Sequence, residues 1–261
     1  MASSNQATGE PRTSGVYVYG IVPADVETDE DAAGVCDGSV RIVAHGDIAA
    51  LVSEISVDRA LGTPEDLRAH AHLLDGTSGV APVLPLRFGA VMTDDNAVEE
   101  ELLAAHADEF AAALQELAGR AQYVVKGRYV EKTILREVID ENTQARELRE
   151  TIRDQPEDTT RDARMALGEI VSNAIVAKRD EDTAKVVDVL TSLADSVNVR
   201  EPTHEEDAAQ VAVLVEVARR DELEKAVGAL AEEWDGRVEV RLLGPMAAYD
   251  FVVTQKPEGG G

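Results

Sequence analysis

A single cysteine, Cys36, stands among 261 residues, which rules out an internal disulfide and every multi-cysteine zinc site. Lysine is scarce as well: Lys126, Lys132, Lys178, Lys185, Lys225 and Lys256 are the whole set, beside 19 arginines. Aromatic residues make up 3% of the chain. No apolar run approaches the ~18 residues that span a bilayer, and no basic segment precedes an apolar one near residue 1, so the reading is a soluble, cytoplasmic protein with no membrane partner. What fills the space instead is carboxylate. With 51 acidic against 25 basic residues the formal net charge is −26, a field that repels phosphate backbones and argues against nucleic acid as a partner. Carboxylates spread over the surface with few lysines resemble proteins working in molar salt, where the Debye length shrinks to ~3 Å and self-repulsion is screened.

At this length the chain is expected to form two domains. Polar tails rich in Gly, Pro and Ser are expected to be disordered at 1–14 and 255–261. The first block, 15–120, opens with a strand at Val16–Val22, then an acidic loop Asp25–Asp37, then a hairpin of Val40–Ala44 and Ile48–Ile55 turned at His45-Gly46-Asp47. Thr63-Pro64-Glu65-Asp66 combines an N-cap threonine, proline at the first helical position and an acid at the third, so a helix starts there and runs to about Asp75, closed by Gly76 and Gly79. Ala81–Met92 reads as a strand, although Pro82 and Pro85 remove ladder donors and mark an edge, bulge or bend, and Arg87 sits among apolar residues. From Asp94 a longer helix carries Val98, Leu102, Leu103, His106, Phe110, Leu114 and Leu117, ending at Gly119.

The second block, 121–254, begins with a strand at Gln122–Val130 and continues with a helical region from about Lys132 to Ile152, followed by a break at Asp154-Gln155-Pro156. A further helix from Thr160 to about Ala194 places Leu167, Ile170, Val171, Ala174 and Ile175 on one face. Ser196–Arg200 and Ala209–Val217 form a strand pair around the Glu201–Asp207 loop. Asp221 with Glu224 caps a helix bearing Leu223, Val227, Leu230 and Trp234, closed by Gly236, and Arg237–Leu242 alternates as a last strand. Strand, helices, strand, strand, helix, strand is the ferredoxin-like βαββαβ order, giving an α+β class with an antiparallel sheet.

No catalytic or metal constellation stands out. His70 and His72 are two apart on a helix and cannot share a metal, His106 reads as a structural residue on an apolar face, and His45 and His204 have no second ligand nearby. The acidic loop lacks the alternating ligands of a calcium loop, and neither a phosphate-binding glycine motif nor GxSxG occurs. No cofactor, metal or catalytic residue is therefore assigned, and a binding or assembly role is favoured over an enzyme, with a ferredoxin-like ligand sensor or regulator as the alternative.

Three stretches together carry a resemblance. Tyr17-Val18-Tyr19-Gly20-Ile21-Val22, Leu84-Pro85-Leu86-Arg87-Phe88-Gly89-Ala90-Val91, and Gly244-Pro245 with Tyr249 and Phe251 in Leu242–Val252 resemble the gas vesicle protein F/L family over residues 15–254. The last stretch reads as a strand end, a Gly-Pro turn and a short apolar strand. The resemblance implies an N-terminal α+β domain followed by a ferredoxin-like domain. It also implies an accessory or minor structural role without enzymatic activity, with the hydrophobic shell protein and other gas vesicle accessory proteins as partners. Tyr17, Tyr19, Arg87, Phe88, Gly89, Gly244, Pro245, Tyr249 and Phe251 are the candidate partner-binding or family-motif positions. For Arg87 two alternatives stay open: an internal pair with a carboxylate, or a contact to a partner.

Overall fold

The computed structural model describes residues 14–28, 32–56 and 58–252. The expected tails lie outside the described residues except for Ser14, as does the centre of the acidic loop at 29–31. The chain forms two compact units, one of residues up to Ala121 together with the segment from Pro245, the other Gln122–Gly244.

The first unit is built on β1 (Ser14–Pro23), buried from Gly15 to Val22 on both faces, which is why it reads as an almost unbroken β-branched and aromatic run. The hairpin β2 (Arg41–His45) and β3 (Ile48–Ser56) is the one its alternation predicts, and β3 lies antiparallel to β1 with a bulge between Val18 and Gly20. Helix α1 (Pro64–Ser78) has the expected capping box: Thr63 accepts from the Asp66 N–H and Asp66 accepts from the Thr63 N–H. It runs three residues past Asp75, with Gly76 inside it, because Thr77 and Ser78 hydroxyls bond back to the Leu73 and Asp75 carbonyls and tie down its last turn.

The expected single strand over 81–92 is instead two short ones, β4 (Leu84–Pro85) and β5 (Val91–Met92), pairing with opposite ends of β1. Proline has no donor to carry the ladder onward, so the chain leaves the sheet after Pro85 and returns at Ala90. The sheet order is β2-β3-β1-β4, with β5 also on β1. The next helix begins at the expected place, where Asp94 caps it, its side chain accepting from the Ala97 N–H. That helix is not continuous α: after α2 (Asp95–Ala97) come a π-helical turn, Val98–Leu103, and a 3-10 turn, Ala104–His106, before α3 (Ala107–Leu117). The change of pitch rotates the later residues, so His106 is exposed beside Glu109 and not on the apolar face.

In the second unit β6 (Arg120–Tyr129) is followed by α4 (Glu131–Glu141), α5 (Thr143–Ile152) and the 35-residue α6 (Glu157–Thr191). Then come β7 (Ser196–Val199), β8 (Asp207–Glu216), α7 (Arg220–Glu233) and β9 (Val238–Met246), with sheet order β7-β8-β6-β9 and an antiparallel β7–β8 pair. Asp221 is not the cap of α7: a 3-10 turn at Val217–Arg219 leads into the helix, and Asp221 and Glu222 occupy its first turn, where the macrodipole favours them.

Charge pins the helices here. Arg237 at the start of β9 bonds Asp182 with two nitrogens, at 3.0 and 2.9 Å, and Glu137 at 2.8 Å, while Lys178 bonds Glu137 at 2.6 Å and Glu141 at 2.7 Å. The Tyr129 hydroxyl donates to Asp182 at 2.7 Å, and the Arg237 guanidinium lies 5.5 Å from the centre of its ring. Partial burial raises the Glu137 carboxyl, but the bonds and charges of Arg237 and Lys178 outweigh it and hold that carboxyl below its usual range. Tyr123, 1% exposed, has a buried hydroxyl with no hydrogen-bond partner among the described residues. An orphaned buried polar group costs about 1–3 kcal/mol. Tyr123→Phe is therefore expected to stabilise the protein by about 1 kcal/mol, read as a higher urea midpoint at unchanged m-value; a lower midpoint would show that the hydroxyl is satisfied.

Candidate functional site

Residues two apart on a strand share a face, so Tyr17 and Tyr19 point the same way from β1, with ring centres 4.8 Å apart. Both are fully buried in the first unit's core with Val35, Leu51, Leu74 and Ala247. Their hydroxyls need partners there. Tyr19 shares a hydrogen bond with Ser53 Oγ at 2.7 Å and accepts the Val35 N–H at 2.6 Å, while Tyr17 meets His70 Nδ1 at 2.9 Å and accepts the Gly89 N–H at 3.1 Å. Burial, only partly offset by the Gly89 N–H, pushes the Tyr17 phenol up to about 12. It therefore stays protonated and acts as donor to His70.

His70 completes the cluster, stacked on Tyr19 at 5.8 Å and edge-on to Tyr17 and Phe88 at 5.8 and 5.6 Å. Burial lowers its pKa; a hydrogen bond to the Leu86 backbone works the other way and does not cancel it. The imidazole is thus neutral, accepting at Nδ1. Spacing alone missed this residue, because a lone histidine on an amphipathic helix carries no signal of what it meets.

The excursion Leu86–Ala90 is held at both feet by β1, through Leu86 N–H to Tyr19 O and Val18 N–H to Ala90 O, each 2.9 Å. Gly89 sits at φ +91, a conformation costly for any side-chain-bearing residue, and its N–H is aimed at Tyr17. Phe88 is half-buried against the cluster. Arg87 is exposed, and it forms no hydrogen bond or ion pair among the described residues. This distinguishes it. The described residues of the first unit contain five arginines and no lysine. Arg41, Arg59, Arg68 and Arg120 bond Asp95, Asp66, Glu65 and the Glu116 carbonyl. Of the two alternatives for Arg87, the internal carboxylate is not found.

The Gly244-Pro245 segment departs from expectation. It is not a turn: both residues lie within β9, and the short apolar strand expected after it is a run of turns in which Tyr249 N–H bonds Ala247 O and Phe251 N–H bonds Ala248 O. Gly244, φ +124, belongs to the second unit, where a Cβ would stand 2.8 Å from the Gln122 carbonyl. Pro245 is half-buried and begins the return to the first unit. There Ala247 is buried and its N–H bonds Asp75 at 3.1 Å, Tyr249 is 39% exposed and Phe251 half-buried. The structure thus gathers Tyr17, Tyr19, Phe88 and Gly89 around His70, and sets Arg87 beside them facing solvent.

Elsewhere the chemistry is sparse. Cys36 lies 3.9 Å from Asp66, and burial pushes its thiol up. Among the described residues no group of three or more His, Cys, Asp and Glu side chains is placed to hold a metal ion, and no helix is long and apolar enough to cross a membrane.

The His70 environment sets a pH dependence. The folded chain keeps the imidazole neutral below about pH 6.5, where the unfolded chain takes up a proton. Its contribution to stability is complete above about 6.5 and is lost as pH falls toward the lower folded value. Urea midpoints measured over that window are expected to drop with acid in the parent and to drop less in His70→Gln; equal slopes would refute the assignment. Tyr17→Phe strands the Gly89 N–H and the imidazole acceptor, and is expected to cost about 1–3 kcal/mol in the same assay.

The family described as Gas vesicle synthesis protein GvpL/GvpF matches residues 15–253. Gas vesicle protein F of Streptomyces sp. (strain CB03234) is 31% identical over 241 residues, covering 90% of this chain and 98% of that protein. Gas vesicle protein L of the same strain is 33% identical over 123 residues, covering 42% and 46%. The crystal structure of GvpF from Anabaena sp. PCC7120 superposes with a TM-score of 0.76 at 22% identity, over 95% of this chain and 100% of that one, a likeness of fold. With nearly its whole length matched, the chain belongs to the gas vesicle synthesis protein GvpL/GvpF family.

Proposed function

We propose that this chain is a cytoplasmic, non-enzymatic accessory protein of gas vesicles, of the F type. In this reading it binds the hydrophobic shell protein during nucleation and keeps it from aggregating, alongside other gas vesicle accessory proteins. Membership of the family supports the gas vesicle role, and the near full-length match to gas vesicle protein F, against half-length to protein L, favours F. We also read the chain as two domains, the second ferredoxin-like. The strand order β7-β8-β6-β9, with helices after its first strand and before its last, supports that arrangement.

The observation that carries the docking site is the Arg87 turn. A guanidinium with no internal partner, on an excursion whose backbone is fastened to a buried strand, is a free donor presented from a fixed backbone. Val91, 41% exposed, stands at its foot, adding apolar surface beside the charge. A shell subunit apolar enough to exclude water needs a covered face before assembly, and a binder of net charge −26 keeps the complex dispersed.

Because Ala247 belongs to the first unit's core, the test uses the whole chain. Arg87→Glu is expected to retain the parent's circular dichroism and melting temperature yet to hold about tenfold less co-expressed shell protein, with Arg87→Lys intermediate. Undiminished retention by a folded Arg87→Glu would move the site elsewhere. Deleting the gene and scoring flotation of the cells tests the cellular role.

A further inference from the structure

The second unit carries a groove of ≈ 670 Å³ between α4, α6 and the loop Pro202–Glu206. Its floor is apolar, formed by buried Ile134, half-buried Leu135, Val171 and Ile175, and Val176, which is 48% exposed. Eleven residues are three turns of helix, so Met165, 64% exposed, continues the Val176 stripe along about 16 Å of α6. Gly168 and Ser172 interrupt that stripe one turn apart. A Cβ added at Gly168 would meet nothing within 4 Å. Glycine inside a helix costs about 1 kcal/mol relative to alanine, and no neighbour within the fold requires it; what a bare backbone there offers is close approach from outside.

The rim is mainly acidic, with Glu131, Glu205 and Glu206 against the single guanidinium of Arg179. Glu131 and Glu205 line the groove with exposed carboxylates that have no hydrogen bond or ion pair among the described residues. Arg179 is the sole Lys or Arg in the lining, and its guanidinium is spent on the Asp207 and Glu205 carbonyls at 2.6 and 2.8 Å.

We propose that this groove docks a basic amphipathic helix of a partner. Its apolar ridge would cross α6 at Gly168 and Ser172, and its lysines or arginines would meet Glu131 and Glu205. A three-turn apolar track takes side chains at i, i+4 and i+7, and the unpaired rim acids select the sign of the flanks. This surface lies within the second unit and stands whether or not the Arg87 turn binds shell protein.

The test uses the full chain and a fluorescein-labelled helical peptide of leucine and lysine, followed by fluorescence anisotropy, beside its leucine–glutamate counterpart. The lysine peptide binds and the glutamate peptide does not. Gly168→Phe fills open space and is expected to keep or slightly raise the melting temperature while weakening binding about tenfold; should it not fold, Ser172→Leu serves the same purpose. The pair Glu131→Lys with Glu205→Lys is expected to weaken binding about tenfold, whereas the same charge change at exposed Asp108 and Glu116 on α3 leaves it within about twofold. Equal loss in both pairs would reduce the effect to net charge and overturn the proposal, as would binding indifferent to the groove-filling variants. A mass that doubles with concentration, and returns to monomer on filling the groove, would assign it to a second copy of this chain and overturn the partner helix.

Discussion

The Tyr17 hydroxyl is the contact on which the first unit's arrangement depends. It stands in the buried stretch of β1, accepts a hydrogen bond from the Gly89 N–H and donates one to His70. One oxygen thereby joins the excursion beyond the sheet edge to α1. Such a group cannot be left half-satisfied in an apolar setting, because each missing bond leaves a desolvated donor or acceptor behind. The exposed Arg87 is therefore placed from the inside: the backbone that carries it is tied, two residues on, to a buried tyrosine hydroxyl.

Charge in this protein works in two registers. The excess of carboxylates gives the chain its net sign, while a few arginines tie separate elements together. Arg237 grips Asp182 and Glu137, and Arg179 ties down the loop before β8. Planar guanidinium donors suit this work better than lysine, since they meet carboxylates and carbonyls in fixed directions. The scarcity of lysine thus fits a chain that uses arginine to tie elements together, and among the described arginines of the first unit it makes Arg87 conspicuous.

Much of this was legible in the residues. Period-two and period-3.6 patterns located nearly every element, and Thr63 with Asp66 placed the start of α1 to the residue, because those signals are local. The candidate positions were legible too, but not their roles. Tyr17 and Tyr19 read as strand aromatics, and only the pairing of β1 with β5 and the packing of α1 bring Gly89 and His70 to them. The π-helical turn that sends His106 outward follows from no local motif, since Val98–Leu103 has ordinary helix-forming residues. Gly244-Pro245 misled for a related reason: the dipeptide is a turn signal, yet here close approach to the Gln122 carbonyl uses the glycine and a strand tolerates the proline.

The first unit is discontinuous, leaving at Ala121 and resuming at Pro245, and Ala247 is buried in its core. Synthesis runs in one direction, so the second unit, contiguous in sequence, is complete as soon as Gly244 has emerged, whereas the first must wait with an unfinished core until residue 247 is made. The waiting segment includes β1, an apolar strand that would pair with other chains if left open. Translation order thus completes the second unit's sequence while the first is still an incomplete nascent chain.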